Sequence, residues 1–237
     1  MVDTRNITAA SSVLIVAAHP DDEVLGCGGT AARFAAEGHA VHILLLADGE
    51  SARQKQAGAP SSIELIAARA GAAQRACAIL GGASVEQRSL PDNRMDGVDL
   101  LDVVQIIETQ IERRRPHMVL THHAGDVNVD HRIVHDAVLA ACRPLPGSTV
   151  RHLLFFETPS STEWRPPSSG CAFVPNWFVD ISATLEKKVE ALRAYSSEMR
   201  EFPHARSIEA IRALARWRGA TVGVEAAEAF ILGRALI

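Results

Sequence analysis

The hydrophobic pattern changes period repeatedly between residues 12 and 157. SVLIVAA (12–18) is a short, continuous aliphatic run rich in β-branched residues, which predicts a buried strand. From Glu23 to Glu37 the chain reads as a helix, with Gly26, Gly28, Gly29 and Ala31 allowing close packing. HAVHILLLA (39–47) is unbroken enough to be a strand covered on both faces. Residues 48–60 hold Gly, Ser and Pro and read as a long loop. Ile63, Ile66, Ala67, Ala70, Ala73, Ala76, Cys77 and Leu80 then recur at helical spacing; Ser61 or Ser62 is the candidate cap, and Gly81-Gly82 the stop. SVEQRSL (84–90) alternates as a strand, 98–115 is a helix ended by Pro116, and MVLTHH (118–123) is a strand. Residues 131–143 form a helix and 151–157 a strand.

This alternation predicts an α/β, Rossmann-like fold: a mostly parallel sheet with helices on both faces and right-handed crossovers. After a Pro- and Ser-rich stretch, 158–170, come WFVDIS, helical segments near 183–200 and 205–219, and AEAFILGRAL, which suits a strand or a helix. The expectation is one domain over 1–237, with 158–237 as a C-terminal elaboration.

Composition narrows the function classes. A chain of 237 residues is long enough for a two-faced core. The net charge of −4, from 24 basic and 28 acidic residues, argues against a nucleic-acid partner, which calls for a basic excess. Arg113, Arg114 and Arg115 sit where a helix ends and suit its dipole. Nothing reaches the roughly 18 apolar residues of a membrane span, and MVDTRNITAASS lacks a secretory pattern. Cys27, Cys77, Cys142 and Cys171 are widely spaced, which predicts reduced core thiols in a cytoplasmic protein.

The chemistry gathers after the strands, where open α/β sheets bind ligands outside the carboxyl ends. His19-Pro20-Asp21-Asp22-Glu23 follows the first strand, and Asp48-Gly49-Glu50-Ser51-Ala52-Arg53 follows the second. His122-His123-Ala124-Gly125-Asp126-Val127-Asn128-Val129-Asp130-His131 follows the fourth. Successive carboxylates at the mouth of an apolar strand repel one another unless a positive charge sits among them. Imidazole and carboxylate ligands suit a divalent transition metal: zinc, with iron(II), cobalt or manganese also admitted. His19 and Asp22, separated by a turn that Pro20 stiffens, are two candidate ligands, and His131 is the third. Asp21, left unligated, is placed to take a proton from a water that the ion acidifies. Asp130 is a candidate to orient a ligand, and Asp126 to hold a histidine in one tautomer. Glu23 is expected to brace the loop through backbone hydrogen bonds. Arg53 is a candidate substrate contact. Trp164, Trp177 and Phe178 suit core packing better than a sugar subsite.

AHPDDEVLGCGG, followed downstream by THHAGDVNVDHR, resembles the LmbE-like family of zinc-dependent de-N-acetylases, as do the Arg69-to-Gly81 helix and the LPD at 90–92. The resemblance covers most of the chain. It implies removal of an acetyl group from an N-acetylated amino sugar of the N-acetylglucosamine type. It also implies His19, Asp22 and His131 as metal ligands, Asp21 as general base, and Arg69 and Asp92 as contacts to sugar hydroxyls. Many members carry a histidine where this chain has Asn128. An amide can donate to an oxyanion but cannot deliver a proton, so the general acid is open among His122, His123, His204 and Asp21 itself. A non-acetyl amide of a thiol-sugar conjugate is the alternative substrate, and the Ala-rich helices leave room for a homo-oligomer. Two other classes fit less well. The Gly26–Gly29 glycines lie too far from the strand end for a dinucleotide turn. A phospho-accepting receiver would need an Asp ending the third strand and a Lys ending the fifth.

Overall fold

A computed structural model describes residues 11–49, 62–167 and 172–237. The chain runs through β1 (Ser12–Ala17), α1 (Asp22–Ala36), β2 (Ala40–Ala47), α2 (Ser62–Leu80), β3 (Ser84–Leu90), α3 (Leu100–Arg114), β4 (Met118–His122), α4 (Val129–Ala141) and β5 (His152–Phe156). It continues as β6 (Trp177–Asp180), α5 (Leu185–Ala194), α6 (Ile208–Ala220) and β7 (Ala227–Ala235). The strands form one sheet in the order β3-β2-β1-β4-β5-β7-β6. The pairs from β3 through β5 are parallel. β7 is antiparallel to both β5 and β6. The predicted Rossmann-like sheet is therefore what forms. The segment left open between strand and helix is β7, whose backbone groups are satisfied by a neighbour on each side.

Side chains alternate across β1. Val13, Ile15 and Ala17 meet the α1, α2, α5 and α6 side of the sheet. Leu14 and Val16 meet the α3 and α4 side. A strand buried on both faces needs apolar residues at every position, hence its unbroken run.

α1 is less regular than its sequence predicts. It kinks at Cys27 (φ −147°, ψ 24°). The kink frees the N–H groups of Gly29 and Thr30, and both donate to Glu228 of β7, at 2.9 and 2.7 Å. Lys188 Nζ of α5 donates to the Leu25 carbonyl at 2.8 Å and to Glu228 at 2.6 Å. A Cβ on Gly26 would lie 2.2 Å from the Phe156 ring, so only glycine lets α1 approach the sheet there.

Strand order reverses between β1 and β4, the switch point at which such sheets leave a crevice. The loops after those two strands meet there. Among the described residues, no helix is long and apolar enough to cross a membrane.

Candidate metal centre and its pocket

Asp22 is fully buried in the first turn of α1. Its Oδ2 accepts the His19 backbone N–H at 3.0 Å and lies 3.1 Å from both His19 Nδ1 and His131 Nε2. Its Oδ1 is buried with no hydrogen-bond partner. Leaving such an oxygen unsatisfied costs about 1–3 kcal/mol, more for a charged group. A cation removes that cost. His19, Asp22 and His131 each offer a ligand atom within 4.8 Å of the others. Two imidazoles and a carboxylate suit a divalent ion, so the residues fit the expected metal. Their charges also attract one another. Burial alone would lower the pKa of His131, but the Asp22 charge and a bond to Asp126 outweigh it and push it up to about 9. Burial works the other way on Asp22, and the His131 charge holds its carboxyl well below the usual range.

A second layer fixes the imidazoles. Asp126 Oδ2 lies 3.2 Å from His131 Nδ1 and accepts Thr162 Oγ1–H at 2.7 Å. Its Oδ1 accepts the Asn128 N–H at 2.8 Å and the Ser161 hydroxyl. This leaves His131 Nε2 facing Asp22. Asp130, expected to orient a ligand, reaches His19: its Oδ2 lies 3.0 Å from His19 Nε2, while its two oxygens accept the N–H groups of Asn93 and Met95. Asp92 Oδ1 lies 3.1 Å from the same nitrogen. His122 stacks on His131 with ring centroids 3.9 Å apart, and its Nε2 accepts the Ala18 N–H at 2.9 Å. Burial drives its pKa well down, so His122 is a neutral wall behind the cluster.

The pocket in front is lined by His19, Asp21, Arg69, Asp92, Asn128 and His131, with Ser160, Glu198 and Arg206 from the C-terminal part. Asn128 caps α4: its Oδ1 accepts the Asp130 N–H at 2.8 Å, and its Nδ2 donates to Asn93 Oδ1 at 3.1 Å. The cap therefore orients the amide with its donor end away from the helix. Asp21 has φ 120°, a region that non-glycine residues rarely adopt. Its Oδ2 accepts from Arg206 Nη1 at 2.8 Å. Burial pushes its pKa up to about 6, opposed by the Arg206 guanidinium and reinforced by the Asp22 and Glu198 charges. Glu23 braces the loop as expected, accepting the Asp21 N–H at 3.0 Å and the Tyr195 hydroxyl at 2.6 Å.

Some expectations need correction. His123 does not line the pocket; its ring meets the edge of Phe173 at 5.4 Å. His204 is also outside the lining and lies 6.0 Å from the ring of Trp164, which is exposed rather than packed in the core. Asp126 is buried behind His131, so its influence passes through that imidazole. His122 is buried behind His131 and outside the pocket lining, with Nε2 on the Ala18 N–H and Nδ1 on the Thr158 hydroxyl. Arg53 lies outside the described residues. Arg69 lines the pocket but is already bonded through Nη2 to Glu198 Oε1 at 2.6 Å. Sequence reasoning missed Arg206, Glu198 and Ser160. In the segment 202–207, FPHARS, the histidine carries the obvious chemistry, but the arginine two residues on is the group that reaches the pocket.

Residues 14–142 match the family described as PIG-L, GlcNAc-PI de-N-acetylase. A 1D-myo-inositol 2-acetamido-2-deoxy-alpha-D-glucopyranoside deacetylase of Mycobacteroides abscessus is 29% identical over 79% of this chain and 81% of its own. A 4-oxalmesaconate hydratase of Pseudomonas putida is 30% identical over 82% of this chain and 77% of its own. Among solved structures, the conserved protein TT1542 of Thermus thermophilus superposes with a TM-score of 0.74 at 28% identity, covering 96% of each chain. With residues 14–142 matching the family and a relative 30% identical over most of both chains, this chain belongs to the PIG-L family of GlcNAc-PI de-N-acetylases.

Proposed function

We propose that this protein is a metal-dependent hydrolase that removes the acetyl group from an N-acetylated amino sugar or its conjugate. One observation carries the reading: His19 and His131 converge on a buried Asp22 whose Oδ1 has no donor, and Asp21 opens into the same pocket. A divalent ion held by His19, Asp22 and His131, which we read as zinc, would supply Lewis acidity toward an acetyl carbonyl and toward water. Asp21 takes the proton of the attacking water and returns it to the leaving amine. Asn128 donates from Nδ2 to the developing oxyanion. With no histidine at that position and His122, His123 and His204 outside the lining, Asp21 is, of the candidates among the described residues, the one that lines the pocket to act as the acid. Arg69 and Asp92 meet sugar hydroxyls.

The hydratase relative raises a second chemistry on the same scaffold. The family match and the deacetylase relative weigh against it here. Among the described residues, Asp21, Asp92, Asn128, Ser160 and Arg69 line the pocket and offer a neutral sugar hydrogen-bonding groups. We further read 1–237 as one domain that works in the cytoplasm; the free, buried Cys27, Cys77 and Cys142 support a reducing compartment.

The test is acetate and free-amine release across a panel of N-acetylglucosamine derivatives and thiol-sugar amides, with and without chelator. Chelator-sensitive acetate release is expected. Hydration of an unsaturated polycarboxylate without amide cleavage would overturn the reading. Asp21→Asn should keep one equivalent of metal while turnover falls by a factor on the order of 10² to 10⁴.

A further inference from the structure

The acidic loop is held from a distance by the C-terminal part of the chain. Tyr195 donates to Glu23, and Glu23 accepts the backbone N–H of Asp21. Arg206 reaches the same residue from its other end, through Nη1 to Asp21 Oδ2 at 2.8 Å. The guanidinium is itself fixed: Nε donates to Ser160 Oγ at 2.6 Å, and Nη1 lies 3.4 Å from Glu198 Oε2. Glu198 is tied in turn to Arg69 of α2. Asp21 thus sits in a strained backbone conformation that persists because neighbours over-determine it.

We infer that Arg206 is a positioning residue for the general base: braced by Ser160 and Glu198, it engages one Asp21 oxygen and aims the other at the attacking water. This rests on the reading of Asp21 as the base. Gripping Oδ2 alone fixes the carboxylate plane and leaves Oδ1 to receive the proton. Nε and Nη1 of Arg206 serve Ser160, Asp21 and Glu198, all groups of this chain, which is the arrangement of a brace. Residue 206 lies beyond the 14–142 segment that matches the family, so this support comes from the C-terminal elaboration.

The experiment compares Arg206→Met, Arg206→Lys, Arg206→Ala, Asp21→Asn and the Arg206→Met/Asp21→Asn pair. Each is assayed for kcat, KM, metal per chain, melting temperature and affinity for the free-amine product. Arg206→Met should lower kcat on the order of 10²-fold, the scale of a misplaced catalytic group, with KM, metal content and product affinity unchanged. Arg206→Lys should recover part of the rate, and guanidinium ion should partly rescue Arg206→Ala. The double variant should be no slower than Asp21→Asn alone. A raised KM with unchanged kcat would make Arg206 a substrate anchor and overturn the inference. Loss of metal or of the melting transition in step with the rate would reduce it to a structural residue. Losses that multiply in the double variant would show that Arg206 does not act through Asp21. If Asp21→Asn itself turns over normally, the base assignment falls first.

Discussion

Asp126 offers a counterintuitive test, because its Asn variant should be worse than its Ala variant. Its carboxylate accepts the Asn128 N–H and the Ser161 hydroxyl on Oδ1, and faces His131 Nδ1 and the Thr162 hydroxyl on Oδ2. An Asn side chain keeps one oxygen. The backbone N–H of Asn128 cannot rotate away, whereas hydroxyls turn and an imidazole can change tautomer. The amide oxygen therefore stays on the Oδ1 side, and the NH₂ replaces Oδ2 opposite His131. Nδ1 must then become an acceptor, which moves the ring proton to Nε2, the nitrogen that faces Asp22. That tautomer cannot ligate a metal through Nε2. The expected loss in metal affinity is at the upper end of the 10- to 100-fold range for such outer partners, about 2.7 kcal/mol. Ala removes the brace without imposing a tautomer, so about tenfold is expected. Competition for zinc against a chromophoric chelator measures both, below the melting temperature of each variant. An Asn variant that binds zinc as tightly as the Ala variant would refute the reasoning.

Glu228→Ala should unpair buried Lys188 and the N–H groups of Gly29 and Thr30, at a cost of about 3–5 kcal/mol for a broken buried pair. For 237 residues at about 2.1 cal/mol/K each, that is a fall of roughly 6–10 °C in Tm. The Lys188→Met/Glu228→Gln pair should restore at least half of it in the same melts, and a Tm as low as that of Glu228→Ala would count against the ion-pair account. Gly26→Ala puts a methyl 2.2 Å from Phe156, whose ring lies 4.8 Å from that of His122. Overpacking of about 1–3 kcal/mol should lower the denaturation midpoint, and an unshifted midpoint would mean that the ring has room to move.

The unbroken aliphatic runs of β1 and β2, the helical spacing of α2 and the acids after β1 act within a few residues, and all are legible in the primary order. So is the pairing of two motifs after strands of one sheet, because the switch-point rule turns topology into proximity. The kink at Cys27 was not legible. Glycines permit it, but the groups that satisfy it, Glu228 and Lys188, lie about 160–200 residues away. The histidines show the same limit. His131 is singled out in the chain as a ligand, but His122 and His123 look alike there, and only packing decides that one walls the cluster in and the other turns to Phe173.

By itself the sequence determined the α/β architecture, the candidate ligand types and the negative charge that calls for a cation. Period, residue chemistry and short spacings are local quantities, and they survive without coordinates. Tertiary structure alone decided which histidine Asp126 and Asp130 each support, which nitrogen of His131 points inward, and that Arg206 closes on Asp21 from 185 positions away. Those outcomes depend on distances between segments joined by long stretches of chain, and no local pattern records them.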